Sequence, residues 1–206
     1  MTRRDDLHRK ALANLQESEV LMLDGHFDYG NGYHGRLYMN PHQIFRQPSL
    51  IWRFAQDLIE ILPDTIISAT EVVVGPVMGG ALLAHTIAGL MDGRRSLTHP
   101  LTSFAPLSMD ANGTLVLRPF YRSVIAGKRV LLADDVRNTG KTFERAKTLI
   151  EGAGGVVLAT LEIYDRLEAM VDLGVPNFAL AEYKAPENYL VADCPMCKSG
   201  TPITRF

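Results

Sequence analysis

Val130-Leu131-Leu132-Ala133-Asp134-Asp135-Val136-Arg137-Asn138-Thr139-Gly140-Lys141-Thr142 is the stretch on which the reading of this chain turns. Its first four residues are apolar and suit a strand buried in a sheet. Two adjacent carboxylates then emerge at the strand end. A short polar loop with one glycine leads into a helix expected from Thr142 to about Gly152, with Phe143, Ala146, Leu149 and Ile150 on one face. The amides at such a helix start have no partners within the helix. Together with the Thr139 and Thr142 hydroxyls they suit a phosphate monoester. Gly140 lets the backbone come close to it. Gly140-Lys141-Thr142 also looks like the end of a nucleoside-triphosphate P-loop, but that motif needs a glycine at position 135, where this chain has aspartate. A carboxylate there would repel the phosphates. Asp134 and Asp135 instead suit a sugar diol, accepting hydrogen bonds from both hydroxyls, and can organise a hydrated magnesium ion. An isolated Asp-Asp pair would only begin a turn; its place between an apolar strand and a Thr-Gly-Lys-Thr helix start points to a ligand.

The flanks follow an alternating pattern. Glu71–Gly75 reads as a buried strand, Gly79–Met91 as a helix, and Leu101–Phe104 and Leu115–Leu117 as strands around a loop holding Pro106, Asp110, Asn112 and Gly113. Arg129–Ala133, Val156–Tyr164 and Phe178–Glu182 are further strands. Upstream, a helix is expected from Asp5 to about Met22, a short strand near Arg36–Asn40, and a second helix opening at Pro48. Nearly continuous apolar strands alternating with helices indicate a mainly parallel sheet covered on both faces. Ligands of such sheets bind beyond the carboxyl ends of the strands.

The 206 residues fit one α/β domain, or a core with a small appendage, and the 47% apolar content is enough to fill its core. A net charge of −2 supplies no basic field, so neither nucleic acid nor an anionic membrane is an expected partner. The longest apolar run, around Ala81–Leu90, is interrupted by His85 and Gly89 and is too short to cross a bilayer. The opening Met-Thr-Arg-Arg-Asp-Asp lacks the apolar run of a secretion signal, so the expected location is the cytoplasm.

The Val130–Thr142 segment resembles the motif by which type I phosphoribosyltransferases bind 5-phosphoribosyl pyrophosphate (PRPP). The resemblance implies that Asp134 and Asp135 contact the ribose hydroxyls. It implies that Val136, Arg137, Asn138, Thr139, Gly140, Lys141 and Thr142 hold the 5-phosphate. Further segments are similar to those of orotate phosphoribosyltransferases. Gly25-His26-Phe27 with Asn31-Gly32-Tyr33-His34-Gly35-Arg36-Leu37-Tyr38 resembles the segment that forms a hood over the base, and Val74–Gly80 the pyrophosphate loop, with Gly79 and Gly80 receiving pyrophosphate. Ile163-Tyr164-Asp165-Arg166 resembles the family's Asp-Arg, whose arginine contacts the orotate carboxylate. Tyr38 and Met39 are expected against the base, although both could be ordinary core of the hood. His26 and His34 are given no catalytic role. The implied fold is the type I phosphoribosyltransferase fold with a small hood. The expected division is an N-terminal helix and hood at 1–45, a core at 46–190 and a tail at 191–206. The implied activity transfers ribose 5-phosphate from PRPP to orotate or a similar base, with magnesium carried mainly by PRPP, in a homodimer.

The chain also departs from that family. Its closing loop usually carries lysine and often histidine, whereas Phe104–Leu117 has neither, and Arg118 follows as the sole basic residue. Gly79 stands where some relatives have lysine, and Asn31 and Gly35 replace serines of the hood. Two alternatives therefore stay open: a non-catalytic PRPP or nucleotide sensor on the same fold, and a phosphoribosyltransferase for another base. Cys194-Pro195-Met196-Cys197 contains the chain's two cysteines. Structural zinc takes four ligands and no second cysteine pair exists, so free thiols and no protein-bound metal are expected.

Overall fold

The computed structural model describes residues 3–29, 32–95, 98–167, 171–184 and 188–205. Helix α1 (Arg3–Glu17) opens the chain and is followed by short strands β1 (Leu21–Met22), β2 (Phe27–Asp28), β3 (Tyr33–Gly35) and β4 (Tyr38–Met39). Helices α2 (His42–Phe45), α3 (Pro48–Ile61) and α4 (Asp64–Ala69) lead to β5 (Val72–Pro76), α5 (Gly79–Gly93), β6 (Ser103–Met109) and β7 (Leu115–Val116). Then come α6 (Pro119–Ile125), β8 (Arg129–Arg137), α7 (Lys141–Glu151), β9 (Val156–Asp165) and β10 (Asn177–Glu182). Strand β11 (Tyr189–Leu190), a 3₁₀ turn at Val191–Asp193 and α8 (Pro195–Lys198) close the described chain.

Six strands form the central sheet in the order β10-β9-β8-β5-β6-β7. All neighbours are parallel except β6 and β7, which make an antiparallel hairpin. Side chains alternate across the sheet. Val73, Leu131, Ala133, Leu161 and Ile163 pack on one face with α1, α3 and α5. Val72, Val74, Val130, Leu132 and Val157 pack on the other with Phe143, Ala146 and Ile150 of α7. Burying each such side chain contributes about 1.5–3 kcal/mol. The alternating pattern of strands and helices read from the sequence thus becomes a doubly covered parallel sheet, as expected.

Three expectations shift. The first helix stops at Glu17 rather than near Met22, because Glu19 takes a left-handed φ of 55° that a helix cannot continue through. Leu21 and Met22 then pair with Met39 and Tyr38. The region expected to be a loop around Pro106 is the middle of β6, and the turn itself is confined to Asp110–Thr114. Asp110 folds that turn by accepting the amides of Asn112 and Thr114. Arg118, the basic residue that follows the hairpin, opens helix α6, a further element absent from the expected pattern.

The expected hood and tail segments are joined in space. A second sheet has the order β11-β3-β2, so Tyr189 and Leu190 pair with His34 and Tyr33. Farther on, Asp28 donates its amide to the Thr204 carbonyl, and Thr204 donates its own to that of His26. Residues beyond 188 are therefore part of the hood's structure.

Candidate functional site

The site residues gather at the carboxyl ends of β5, β8 and β9. Strand β8 continues past its apolar part, since Asp134, Val136 and Arg137 remain in register with Glu162, Tyr164 and Asp165 of the long β9. Asp134 is nearly buried and Asp135 partly so. The Asp135 amide donates to Asp134 Oδ1 at 2.9 Å, and the Val136 amide to Asp135 Oδ1 at 3.0 Å. Burial pushes the Asp134 carboxyl well above the usual carboxylate range, and the adjacent Asp135 charge adds to that.

After β8 the chain turns over Asn138–Gly140 into α7. Gly140 caps the helix with φ 79°, a left-handed conformation that glycine adopts without strain. Asp134 and residues 136–143 line a recess of about 100 Å³, the scale of a few water molecules at ≈ 30 Å³ each. The loop is held from behind, because the Arg166 amide donates to the Arg137 carbonyl and the Val171 amide to the Thr139 carbonyl. The seven residues expected to hold a phosphate, Val136–Thr142, thus surround one recess at a helix start.

Gly79 and Gly80 face this loop from the start of α5, just after β5. The Val77–Met78 peptide between β5 and α5 is cis. A Cβ added to Gly80 would lie 2.6 Å from Asp134 Oδ1 and 2.9 Å from the Ala133 carbonyl oxygen. One added to Gly79 would collide with the Asp135 carboxylate and the Phe45 ring. The glycines are therefore demanded by the close approach of two backbone turns that between them offer amides and carboxylates. A groove of about 710 Å³ bounded by Asp64, Ser68, Arg94, Arg95 and His99 is larger. It lies at the opposite end of the sheet, beside the start of β5 and the end of α5. Ligands of parallel sheets bind at the carboxyl end, so the smaller recess is the better site.

Arg166 follows β9, half-buried, with Nη1 3.3 Å from Asn138 Oδ1, which joins it to the phosphate-type loop. Its charge also reaches Tyr29 of the hood. Burial pushes the Tyr29 phenol up and the Arg166 guanidinium opposes that rise. The Tyr29 hydroxyl donates to the Leu37 carbonyl. Tyr38 and Met39 are half-buried in β4; Tyr38 stacks at a tilt 5.7 Å from Phe27, and Met39 packs on the main core. These contacts tie β4 to the hood and to the main core. Asn31 of the expected hood motif lies outside the described residues.

Sequence reading passed over Phe45, Tyr29 and Glu162. Phe45 closes over Gly79 from a four-residue helix that carries no periodic signal. Glu162 looks from sequence like one polar residue in an apolar strand, yet its side chain is fully buried. Its Oε1 accepts from Asn177 Nδ2 at 2.6 Å, and Asn177 Oδ1 accepts from Thr160. Burial raises its pKa from 4.5 to about 8, against the Asn177 hydrogen bond and the Arg137 charge. Because the folded value lies above the unfolded one, the stability Glu162 contributes is complete below about 4.5 and lost as pH rises towards about 8. The loss is several kcal/mol at ~1.4 kcal/mol per unit. Urea midpoints are expected to fall between these pH values and to fall less in Glu162→Gln. An unchanged slope in that variant would show that Glu162 is ionised inside the fold.

Residues 42–170 match the family model described as the phosphoribosyl transferase domain. The orotate phosphoribosyltransferase of Heliobacterium modesticaldum is 30% identical over 190 residues, covering 92% of each chain. That of Caldanaerobacter subterraneus is 31% identical over 196 residues, covering 95% of each. The crystal structure of orotate phosphoribosyltransferase from Aeropyrum pernix has the same fold, with a TM-score of 0.63 over 82% of this chain and 92% of that one, at 18% identity.

Proposed function

We infer the function from one premise: the chain belongs to the phosphoribosyltransferase family, among relatives named orotate phosphoribosyltransferase. It is a pentosyltransferase that moves ribose 5-phosphate from PRPP to orotate and releases pyrophosphate, a step of pyrimidine nucleotide synthesis. The observation that carries the assignment of roles is the meeting of the Gly79-Gly80 turn with Asp134 and Asp135 beside a phosphate-sized recess.

In this reading, residues 137–142 anchor the 5-phosphate through backbone amides and the Thr139 and Thr142 hydroxyls. Asp134 and Asp135 accept hydrogen bonds from the ribose hydroxyls, and Gly79 and Gly80 leave room for pyrophosphate. A ring nitrogen of orotate attacks C1 while the C1–O bond to pyrophosphate breaks and its electron pair leaves with pyrophosphate. The ribose passes through an oxocarbenium-like state, which the nearby Asp135 charge favours electrostatically. No side chain acts as a nucleophile. Magnesium enters as part of the substrate, Mg–PRPP, where it offsets charge on the departing pyrophosphate. The two carboxylates at this site fit that role, because magnesium binds through one or two carboxylates plus substrate phosphates rather than in an all-protein cage. The expected setting is a cytoplasmic homodimer, which sedimentation of the purified protein would test.

Arg166 is assigned to the orotate carboxylate, supported by its position just beyond β9, at the carboxyl end of the sheet, and by its link to Asn138. A charge-assisted contact of this kind is worth ~1.5–3 kcal/mol. Arg166→Ala should therefore raise the KM for orotate roughly tenfold to a hundredfold and that for PRPP much less. Equal effects on both substrates would remove Arg166 from the base site. The assignment of the base is tested by pyrophosphate release from Mg–PRPP against a panel of nucleobases; preference for a purine would overturn it.

A further inference from the structure

The hood carries a feature that the transfer reaction does not use. His26 precedes β2, His34 lies in β3, and Cys194 and Cys197 flank the start of α8. One ligand atom from each of the four comes within 4.8 Å of all the others. His26 Nε2 is 3.1 Å from His34 Nδ1 and 3.6 Å from each sulfur, and Cys197 Sγ is 3.3 Å from His34 Nδ1. Zinc bonds of ~2.3 Å to sulfur and ~2.0–2.1 Å to nitrogen at tetrahedral angles require edges of roughly 3.3 Å between nitrogens and roughly 3.6 Å between nitrogen and sulfur. These four edges match those lengths to within a few tenths of an ångström.

The surroundings choose the tautomers. His26 Nδ1 is 2.9 Å from the Thr201 carbonyl, which can only accept, so the ring proton sits on Nδ1 and the Nε2 lone pair faces the cluster. Asp28 Oδ1 stands 3.9 Å from His34 Nε2 on the outer side of that ring and favours a proton there. The His34 Nδ1 lone pair then also points inward. Two lone pairs and two sulfurs converging on one point need either thiol protons or a cation among them. A carbonyl or carboxylate behind each imidazole is the usual second shell of a zinc-bound histidine. Both histidines and Cys194 are buried, whereas Cys197 is exposed and leaves a path for entry.

We propose that His26, His34, Cys194 and Cys197 bind one zinc ion in a closed, structural site. Two thiolates and two imidazoles form the closed tetrahedral set preferred by zinc, with no position open for substrate. The site would clamp the chain beyond β11 onto the hood, where β11 pairs with β3 and Thr204 pairs with Phe27. The sequence expectation of free thiols without metal is thereby revised. It counted only cysteine pairs, and the missing two ligands are histidines 163 to 171 residues away from the cysteines they meet.

The experiment is metal analysis of the full-length protein purified under reducing conditions without chelator. One zinc per chain is expected, with both thiols protected from a thiol reagent until a mercurial releases the metal. Cobalt substituted into the protein should give the strong visible bands of tetrahedral coordination and a thiolate charge-transfer band. Cys197→Ser and His34→Gln should lose the metal. Asp28→Asn, which leaves all four ligands in place, should weaken zinc binding by ~10–100-fold. Since Cys197→Ser could fail to fold, the cobalt spectrum of the unmodified protein decides independently. The proposal is overturned by reactive thiols or a Cys194–Cys197 disulfide together with no uptake of zinc or cobalt. It is equally overturned if metal binding survives loss of His34 and Cys197. None of these readouts depends on which base the enzyme uses.

Discussion

Asp135→Asn is expected to leave the fold intact and to lower turnover by ~10²–10³-fold. The fold should survive because the asparagine carbonyl oxygen can still accept the Val136 amide, as Asp135 Oδ1 does at 3.0 Å. What disappears is the negative charge next to the ribose at the moment it becomes positive. That charge is also part of what holds Asp134 above its usual range. The variant should therefore titrate Asp134 at a lower pH than the parent does. The check is kcat with saturating Mg–PRPP and orotate, alongside a denaturation curve. Turnover within about tenfold of the parent, less than a preorganised electrostatic contact usually costs, would remove Asp135 from the reacting centre.

Met109→Lys should act in the opposite direction. The β6–β7 hairpin rises from the carboxyl end of the sheet beside the Val77–Gly80 turn, where the Val77 amide donates to the Leu107 carbonyl at 2.8 Å. Met109 is half-exposed near its tip and pairs with Leu115. Between Phe104 and Leu117 there is no lysine or histidine to meet the charge that pyrophosphate gains as it leaves. A cation reaching it only as the bond breaks stabilises the transition state more than the ground state, which raises kcat rather than affinity. The variant is expected to gain up to ~10²–10³-fold in kcat, with a smaller change in the KM for PRPP. The parent should accordingly turn over below ~10 s⁻¹, the median for enzymes. A parent turnover at or above that rate would mean that the hairpin needs no cation.

The sheet was readable from sequence wherever a strand is buried on both faces. Val72–Val74 and Val130–Ala133 are unbroken apolar runs, and nothing else in this chain's composition explains them. The helix starts at Pro48 and Gly79 were readable too, because proline and paired glycines have positional chemistry of their own. Strand ends were not. Asp134–Arg137 looks like loop because its residues are polar, but the length of β9 on the neighbouring strand keeps it hydrogen-bonded. Pro106 looks like a breaker, yet β7 pairs with β6 only at Ser108 and Met109, so the proline sits where the sheet edge asks for no donor. Helix α6 was missed although Pro119 marks its first turn. The recess formed by residues 134–143 was legible because its residues are consecutive in the chain. The His–Cys cluster was not, because its members lie at opposite ends and no local spacing links them.

That separation has a consequence for synthesis on the ribosome. Strand β3 needs Tyr189 and Leu190 as its partner, and residues 26–28 need Thr204. The central sheet is complete once β10 has emerged, whereas the hood, made first, must wait for roughly 150 residues of later chain. At ~5–20 residues per second that is about eight to thirty seconds. During that interval His26, Phe27 and His34, all buried in the finished protein, are available to water, chaperones and any stray metal. A chain ending at residue 182 and released from the ribosome would carry the formed 134–143 recess beneath an unmade roof.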